Sequence, residues 1–358
     1  MKRMICLLAF LLILTVPVKA SDIPKEVMEA LPERTEEVLK NIEFSNADSF
    51  ENGVERILND LAARVKETVQ GQGKSAVGIF LIVMLCSMFE GVRDGFGEKN
   101  DLVLSMVGAL SVALLTIGNV DSLIGLGSAT IGELRSFSKV LLPVLAAATA
   151  GTGAVTTASF QQVTVVFMVD LLLGLITSLL IPFTYLYIGV LTAASCLSSM
   201  QLSAIAEGMK KLIIWILTTG LILFTLYLSV ARIISGSVDG AAIKMTKTAI
   251  AGVIPVVGGI IAEASETILA GAGIVKNTVG IFGVLAILAA CAYPFLQLGI
   301  QYLLYKFTAY LAGVVGQPHL CKLVNGLSGA LGLILGMTGS SALLLLISVL
   351  TCIAAVIP

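Results

Sequence analysis

Polar and apolar positions divide the chain into two regimes. Val54, Ile57, Leu58, Leu61, Val65 and Val69 recur at three- and four-residue spacing with charges between them, which predicts one amphipathic helix. A shorter helix is predicted from Glu33 to Ile42, after Pro32. Beyond residue 73 the pattern becomes a series of apolar runs, at about 75–90, 101–119, 161–181, 183–199, 212–231, 279–293, 295–314 and 327–356. Most approach the about 20 residues a helix needs to cross a bilayer; the shorter ones leave boundaries soft. Two further stretches, 140–158 and 249–271, are apolar but rich in Gly, Ala, Ser and Thr, each with a proline near its start. They are expected to be broken or re-entrant, with Pro143, Gly151, Gly153, Pro255, Gly258 and Gly259 as hinges. Such backbone survives at membrane depth only when buried in protein or lining water. The competing reading is close helix packing through small residues, for which Gly329, Gly332 and Gly336 also have the spacing. The fold class is therefore all-α, a polytopic transmembrane helical bundle.

At the start, Lys2 and Arg3 precede an apolar run from Met4 to Val16, and Val18-Lys19-Ala20 presents small residues at the positions a signal peptidase reads. Cleavage between Ala20 and Ser21 is expected; an uncleaved anchor is the alternative, although the run is short for a span. Either way the following segment begins outside the cytoplasm. The expected divisions are 1–20 signal peptide, 21–73 extracytoplasmic helical segment, 74–120 transmembrane hairpin, 121–235 first membrane repeat and 236–358 second.

The repeats come from laying the chain against itself. Leu142-Pro143-Val144 recurs as Ile254-Pro255-Val256 and Ile181-Pro182-Phe183 as Tyr293-Pro294-Phe295, both at the same offset. Leu191-Thr192-Ala193 resembles Phe307-Thr308-Ala309, and Glu207-Gly208-Met209 resembles Asn325-Gly326-Leu327, at slightly larger offsets. If the Gly-rich segments are re-entrant the repeats are inverted; if they span, the repeats are parallel. The distribution of Lys and Arg favours the inverted arrangement. Paired broken segments in inverted halves mark the substrate site of many secondary transporters, so an autonomous transporter or permease moving a small solute is one functional reading.

Composition agrees with hydropathy: 57% of residues are apolar and 13% charged, with a mean hydropathy of +1.00, far from the usage of soluble domains. Charge is unevenly placed. From Ser21 to Gly73 there are twelve acidic and six basic residues, so the net charge of -1 hides an acidic head. That head is either a docking element for an extracytoplasmic partner or a solvated cap on the protein's own helices. Nucleic-acid binding needs a basic patch, and the sequence has none. Six scattered cysteines form no CxxC pair, and the single histidine, His319, stands beside Pro318, so neither a disulfide framework nor a metal site is expected. There is no HExxH, GxSxG or Walker loop; Gly71-Gln72-Gly73-Lys74-Ser75 lacks the phosphate-loop spacing. No enzyme activity and no cofactor are expected.

The informative charges are those inside apolar runs. Asp170 interrupts Val163–Leu180 and Lys306 lies within Tyr302–Val315. An intramembrane charge should face a partner or a water-filled cavity. The two are candidates for pairing across the repeats, or Lys306 snorkels to an interface among Tyr302, Tyr305 and Tyr310. Glu263 and Glu266 are the ionisable residues of the second Gly-rich segment, and complete the pore-lining candidates.

The run Ser237-Val238-Asp239-Gly240-Ala241-Ala242-Ile243-Lys244, continuing through Ala251-Gly252-Val253-Ile254-Pro255-Val256-Val257-Gly258-Gly259 to Glu263-Ala264-Ser265-Glu266-Thr267-Ile268, resembles the stage III sporulation protein AE family of endospore-forming Bacillota. The resemblance implies a subunit of a transenvelope channel or feeding apparatus in the mother-cell membrane around the forespore. It also implies partners: other membrane and ring-forming subunits of the same operon, an associated ATPase and a forespore-side protein, within the lipid bilayer. It supplies no catalytic residues.

Overall fold

The computed structural model describes residues 23–32, 35–36, 39, 47–91, 100–253, 258–315 and 318–354. Every described element is helical. A short helix α1 (Lys25–Glu29) precedes α2 (Ala47–Gly91) and α3 (Asn100–Gly151). Then come α4 (Val155–Phe160), α5 (Val166–Leu175) and α6 (Ile181–Cys196), joined end to end through π-helical turns at Gln161–Val165 and Ile176–Leu180. Three long helices follow: α7 (Met200–Val253), α8 (Gly258–Val314) and α9 (Pro318–Ile353). Six helical stretches among the described residues are long and apolar enough to cross a membrane: Phe50–Phe89, Met106–Gly151, Ala158–Cys196, Met200–Ala231, Gly273–Val314 and His319–Ile353.

The apolar runs expected at 161–181 and 183–199 form one span, and those at 279–293 and 295–314 another. The prolines between them do not end a helix. Pro182 lies in the first turn of α6, directly after the π turn Ile176–Leu180, where a widened hydrogen-bonding pattern absorbs the donor that proline lacks. Pro294 lies inside α8, and Pro143 inside α3.

The first Gly-rich segment contains a chain reversal. α3 ends at Gly151; the Thr152 amide then donates to the Thr149 carbonyl at 3.1 Å and the Gly153 amide to Ala150 at 2.9 Å. Gly153 has φ 86°, the left-handed conformation that closes a helix C-terminus and that glycine adopts without a steric penalty. The next reversal, at 197–199, is capped by Ser199, whose Oγ accepts from the Leu202 amide at 3.3 Å. In the second Gly-rich segment residues 254–257, including Pro255, lie outside the described residues; α7 precedes them and α8 follows.

Contacts fix the helix directions. Leu172 lies against Gly220 and the Phe160 ring against Tyr227, so α4–α6 run antiparallel to α7. Gly280 meets Ile353 and Gly339 meets Phe295, so α8 runs antiparallel to α9. Gly329 faces Lys210 and Gly336 faces Leu217, so α7 and α9 are parallel. The α6–α7 and α8–α9 hairpins therefore point the same way, which corrects the inverted arrangement expected above. The cause is α7, a single helix that leaves α6 and α8 two crossings apart rather than three. α2 lies parallel to α8: Gly53 meets Leu285, Ser75 bonds Tyr305, and Ser87 Oγ donates to the Val315 carbonyl.

α8 and α9 form the hub. In their most apolar stretches 67% and 61% of residues are buried, against 17% for Met200–Ala231. The glycines of α9 admit neighbours: Tyr302 packs on Gly332 and Phe295 on Gly339, the close approach expected of small-residue faces. α7 presents Ile214, Trp215, Ile222, Leu223, Leu226 and Val230 outward, as a lipid-facing helix does.

Candidate functional site

Two polar constellations join helices of the bundle. The first joins the two arms of the hairpin that reverses at Gly153. Arg135 in α3 and Asp170 in α5 meet through a two-pronged pair, Nε to Oδ1 at 2.6 Å and Nη2 to Oδ2 at 3.0 Å. Lys139 Nζ, one turn along α3, lies 3.1 Å from the same Oδ1. Gly174, one turn beyond Asp170, leaves room for the guanidinium: a Cβ there would stand 3.1 Å from Arg135 Nη2. The pair is about one-third exposed. Both oxygens of the carboxylate are used, so Asp170 acts as a brace within the hairpin rather than as a partner for Lys306. Nearer the open end of the same hairpin, the Tyr185 hydroxyl donates to Asp121 Oδ1 at 2.9 Å.

The second constellation is a polar layer centred on Tyr305, which is fully buried. Its hydroxyl pairs with Ser75 Oγ at 3.0 Å and accepts from Asn119 Nδ2 at 3.3 Å, tying α2, α3 and α8 together. In the neighbouring turns Ser328 Oγ donates to the Tyr302 carbonyl, Tyr187 Oη to the Gly326 carbonyl and Lys306 Nζ to Asn325 Oδ1 at 2.7 Å. Gln301 precedes Tyr305 by one helical turn and Gln72 precedes Ser75 similarly, so each shares a helix face with its neighbour. Gln301 is fully buried and neither atom of its amide has a hydrogen-bond partner; Gln72 Oε1 is likewise buried and unpaired.

Of the candidates expected from sequence, the structure separates Asp170 from Lys306 and gives each a different partner. Gly151 and Gly153 flank the reversal, while Pro143 lies a turn or more before it within α3. Gly258 and Gly259 open α8, and Glu263 and Glu266 lie in the turns that follow. Ala20, Ser21 and Pro255 lie outside the described residues. Arg135, Lys139, Asn119 and Gln301 were not site candidates from sequence; Tyr305 was expected only at a membrane interface, and Gln72 entered only through the rejected phosphate-loop match. Arg135 had a signal: it and Asp170 stand at equal sequence distance from Thr152–Gly153, as partners across an antiparallel reversal must. Among the described residues no three His, Cys, Asp or Glu side chains stand together as a metal site. The five described cysteines are free thiols.

These features define a polytopic helical membrane protein in which a few polar groups bind helix to helix, while many buried Ser and Thr hydroxyls bond back to their own helix. The chain belongs to the stage III sporulation protein AE family, whose family model matches residues 36–356. It is 24% identical over 300 residues to the stage III sporulation protein AE of Bacillus subtilis (strain 168), covering 83% of this chain and 73% of that protein. No solved structure matches it.

Proposed function

We propose that the protein is an integral membrane subunit of the sporulation channel complex that connects mother cell and forespore, and that it is required for forespore development. The observation that carries this reading is the family match, which spans nearly the whole membrane body. The geometry supports a subunit rather than a self-contained carrier. Tyr305, Ser75, Asn119, Lys306 and Asn325 hold helices to one another, while the cavity between α2, α8 and α9 is lined by apolar residues such as Leu58, Leu288 and Leu343. Exposed apolar faces on α3 and α7 offer area for neighbouring membrane subunits. The protein resides in the mother-cell membrane, with its ring-forming partners, ATPase and forespore-side protein around it.

The test is replacement of the chromosomal copy by Asp170→Asn and Glu263→Gln variants, with assembly scored separately from forespore development. Loss of development with intact assembly in Glu263→Gln supports a lining role for that residue in the channel, whereas a loss in Asp170→Asn reads its brace to Arg135; two silent variants remove both residues from the function. Purified protein in liposomes supplies the opposing outcome, because solute-specific uptake without partners would sink the subunit reading.

A further inference from the structure

The charged face of α2 stands beside the most apolar part of the bundle. Between Glu51 and Lys74 this helix carries four acidic residues (Glu51, Glu55, Asp60, Glu67) and four basic ones (Arg56, Arg64, Lys66, Lys74). Over the same length α8 has no Asp, Glu, Lys, Arg or His from residue 277 to 305, α9 has none from 323 to 353, and α7 none from 212 to 231. Printed contacts place these stretches level. The Arg64 guanidinium lies 5.5 Å from the Tyr293 ring centroid. Leu58 and Leu61 share an apolar cavity of about 450 Å³ with Phe295, Ala342 and Leu343. The adjacent Leu344 lines a small crevice with Gly220 and Leu221 of α7. The Asp60–Arg64 ion pair is thus level with Leu221–Ile222, in the middle of the uncharged, outward-facing part of α7.

One side of the bundle at this depth is built for hydrocarbon: Trp215 is 64% exposed and Leu226 58%. On another side, Glu51, Glu55, Arg56, Arg64, Lys66 and Glu67 are exposed. Charged side chains at membrane depth face the bundle interior, a partner or water, and do not face lipid. The amphipathic pattern decides which way α2 turns. Gly53 and Ile57 are buried on the hub and Val54 and Leu61 pack against it, so, among the described residues, the charged face is turned outward from the hub, with Arg64 reaching back over the Tyr293 ring.

We propose that the charged face of α2, from Glu51 to Lys74, lines an aqueous path at membrane depth whose opposite wall is the same face of a second copy of this chain. The inference rests on the channel-subunit reading and names the element that forms its lumen. Equal numbers of acidic and basic groups suit a surface that confronts itself, because facing copies present no net like charge. Mixed charge also gives the path a hydrated wall without strong selection for cations or anions, unlike the single-sign rings of ion-selective pores.

The experiment uses the full chain in native membranes of sporulating cells, with Trp215 as a built-in depth probe after reconstitution in lipids brominated on the acyl chains. Quenching of Trp215 is expected and fixes this level of α7 in hydrocarbon. Asn59→Cys and Glu55→Cys on α2 should react with a membrane-impermeant maleimide about tenfold faster than Leu226→Cys and Ile222→Cys, since the thiolate that reacts forms in water. A short bismaleimide should join Asn59→Cys chains into dimers. Equal labelling on both helices, or unquenched Trp215, overturns the path by placing this half of the bundle outside the bilayer. Labelled chains that never cross-link overturn the second copy as the opposite wall. Asn59→Cys cells that develop normally but do not label overturn the path and leave the subunit reading intact, whereas uptake by the isolated protein would overturn that reading alone.

Discussion

Asp170 accepts both prongs of the Arg135 guanidinium and also faces Lys139, so Asp170→Asn leaves two cations without a counter-charge. With the pair one-third exposed, the expected loss lies between the values for open and fully buried pairs, about 1–3 kcal/mol. It is read as a lower unfolding temperature in detergent. The exchange Arg135→Asp with Asp170→Arg should recover most of it, and no recovery would show that the hairpin does not depend on this pair. Tyr305→Phe removes two hydrogen bonds and is expected to cost about 1–2 kcal/mol. Gln301→Met has the opposite expectation. Because the Gln301 amide is buried and unpaired, an apolar side chain of similar length should leave stability unchanged or raise it by about 1 kcal/mol; a clear loss of stability refutes this. Sequence made Asp170 conspicuous because a carboxylate in an apolar run demands a partner. It did not make Tyr305 or Gln301 conspicuous, since tyrosine is common near membrane interfaces and a single uncharged glutamine hardly interrupts an apolar run, so only packing reveals that these two face inward.

At the level of helices, existence was more legible than extent. The apolar runs from residue 75 onward fall in helices, except where those at 183–199 and 327–356 run past the helix ends at Cys196 and Ile353, and the amphipathic stripe of Val54, Ile57 and Leu61 is part of α2. Prolines at 182 and 294 looked like divisions between spans, yet a π turn accommodates the first and the second is carried within α8. A chemical cue to the missing donor exists in sequence, but not the neighbouring geometry that offsets it. The boundary expected at residues 73 and 74 falls inside α2, which runs unbroken from the charge-bearing stretch into the uncharged one. Glycine contacts give the sharpest prediction at this scale. Leu191 occupies the space a side chain on Gly326 would need, and Ile334 does so at Gly127. Gly326→Val and Gly127→Val should each cost about 1–3 kcal/mol through overpacking, measured as a fall in unfolding temperature, while Gly189→Val, with open space around it, should cost less. Equal losses at all three sites would refute packing as the cause.

The six candidate spans among the described residues would place the segment before α2 and the end of α9 on the same side of the membrane. A phosphatase reporter fused after Pro358 should therefore share the activity state of one inserted before α2, and opposite states would require an odd number of crossings. Direction was the feature least accessible to sequence. Whether corresponding segments run parallel depends on where the chain reverses, and the left-handed conformation at Gly153 identifies a reversal that a Gly-rich composition only suggests.

The hub also sets a schedule for synthesis. α2 completes its packing against α8 through Ser75 and Tyr305, which are 230 residues apart. At translation rates of 5–20 residues per second the later partner arrives roughly 10–50 s after the earlier one. Until α8 and α9 emerge, the helices already inserted have only their pairwise contacts with one another, and the Asn119 amide lacks its Tyr305 partner. Loss of the last helix to a premature stop would therefore strand most of a finished membrane body without its core, making truncated chains natural targets for membrane proteases.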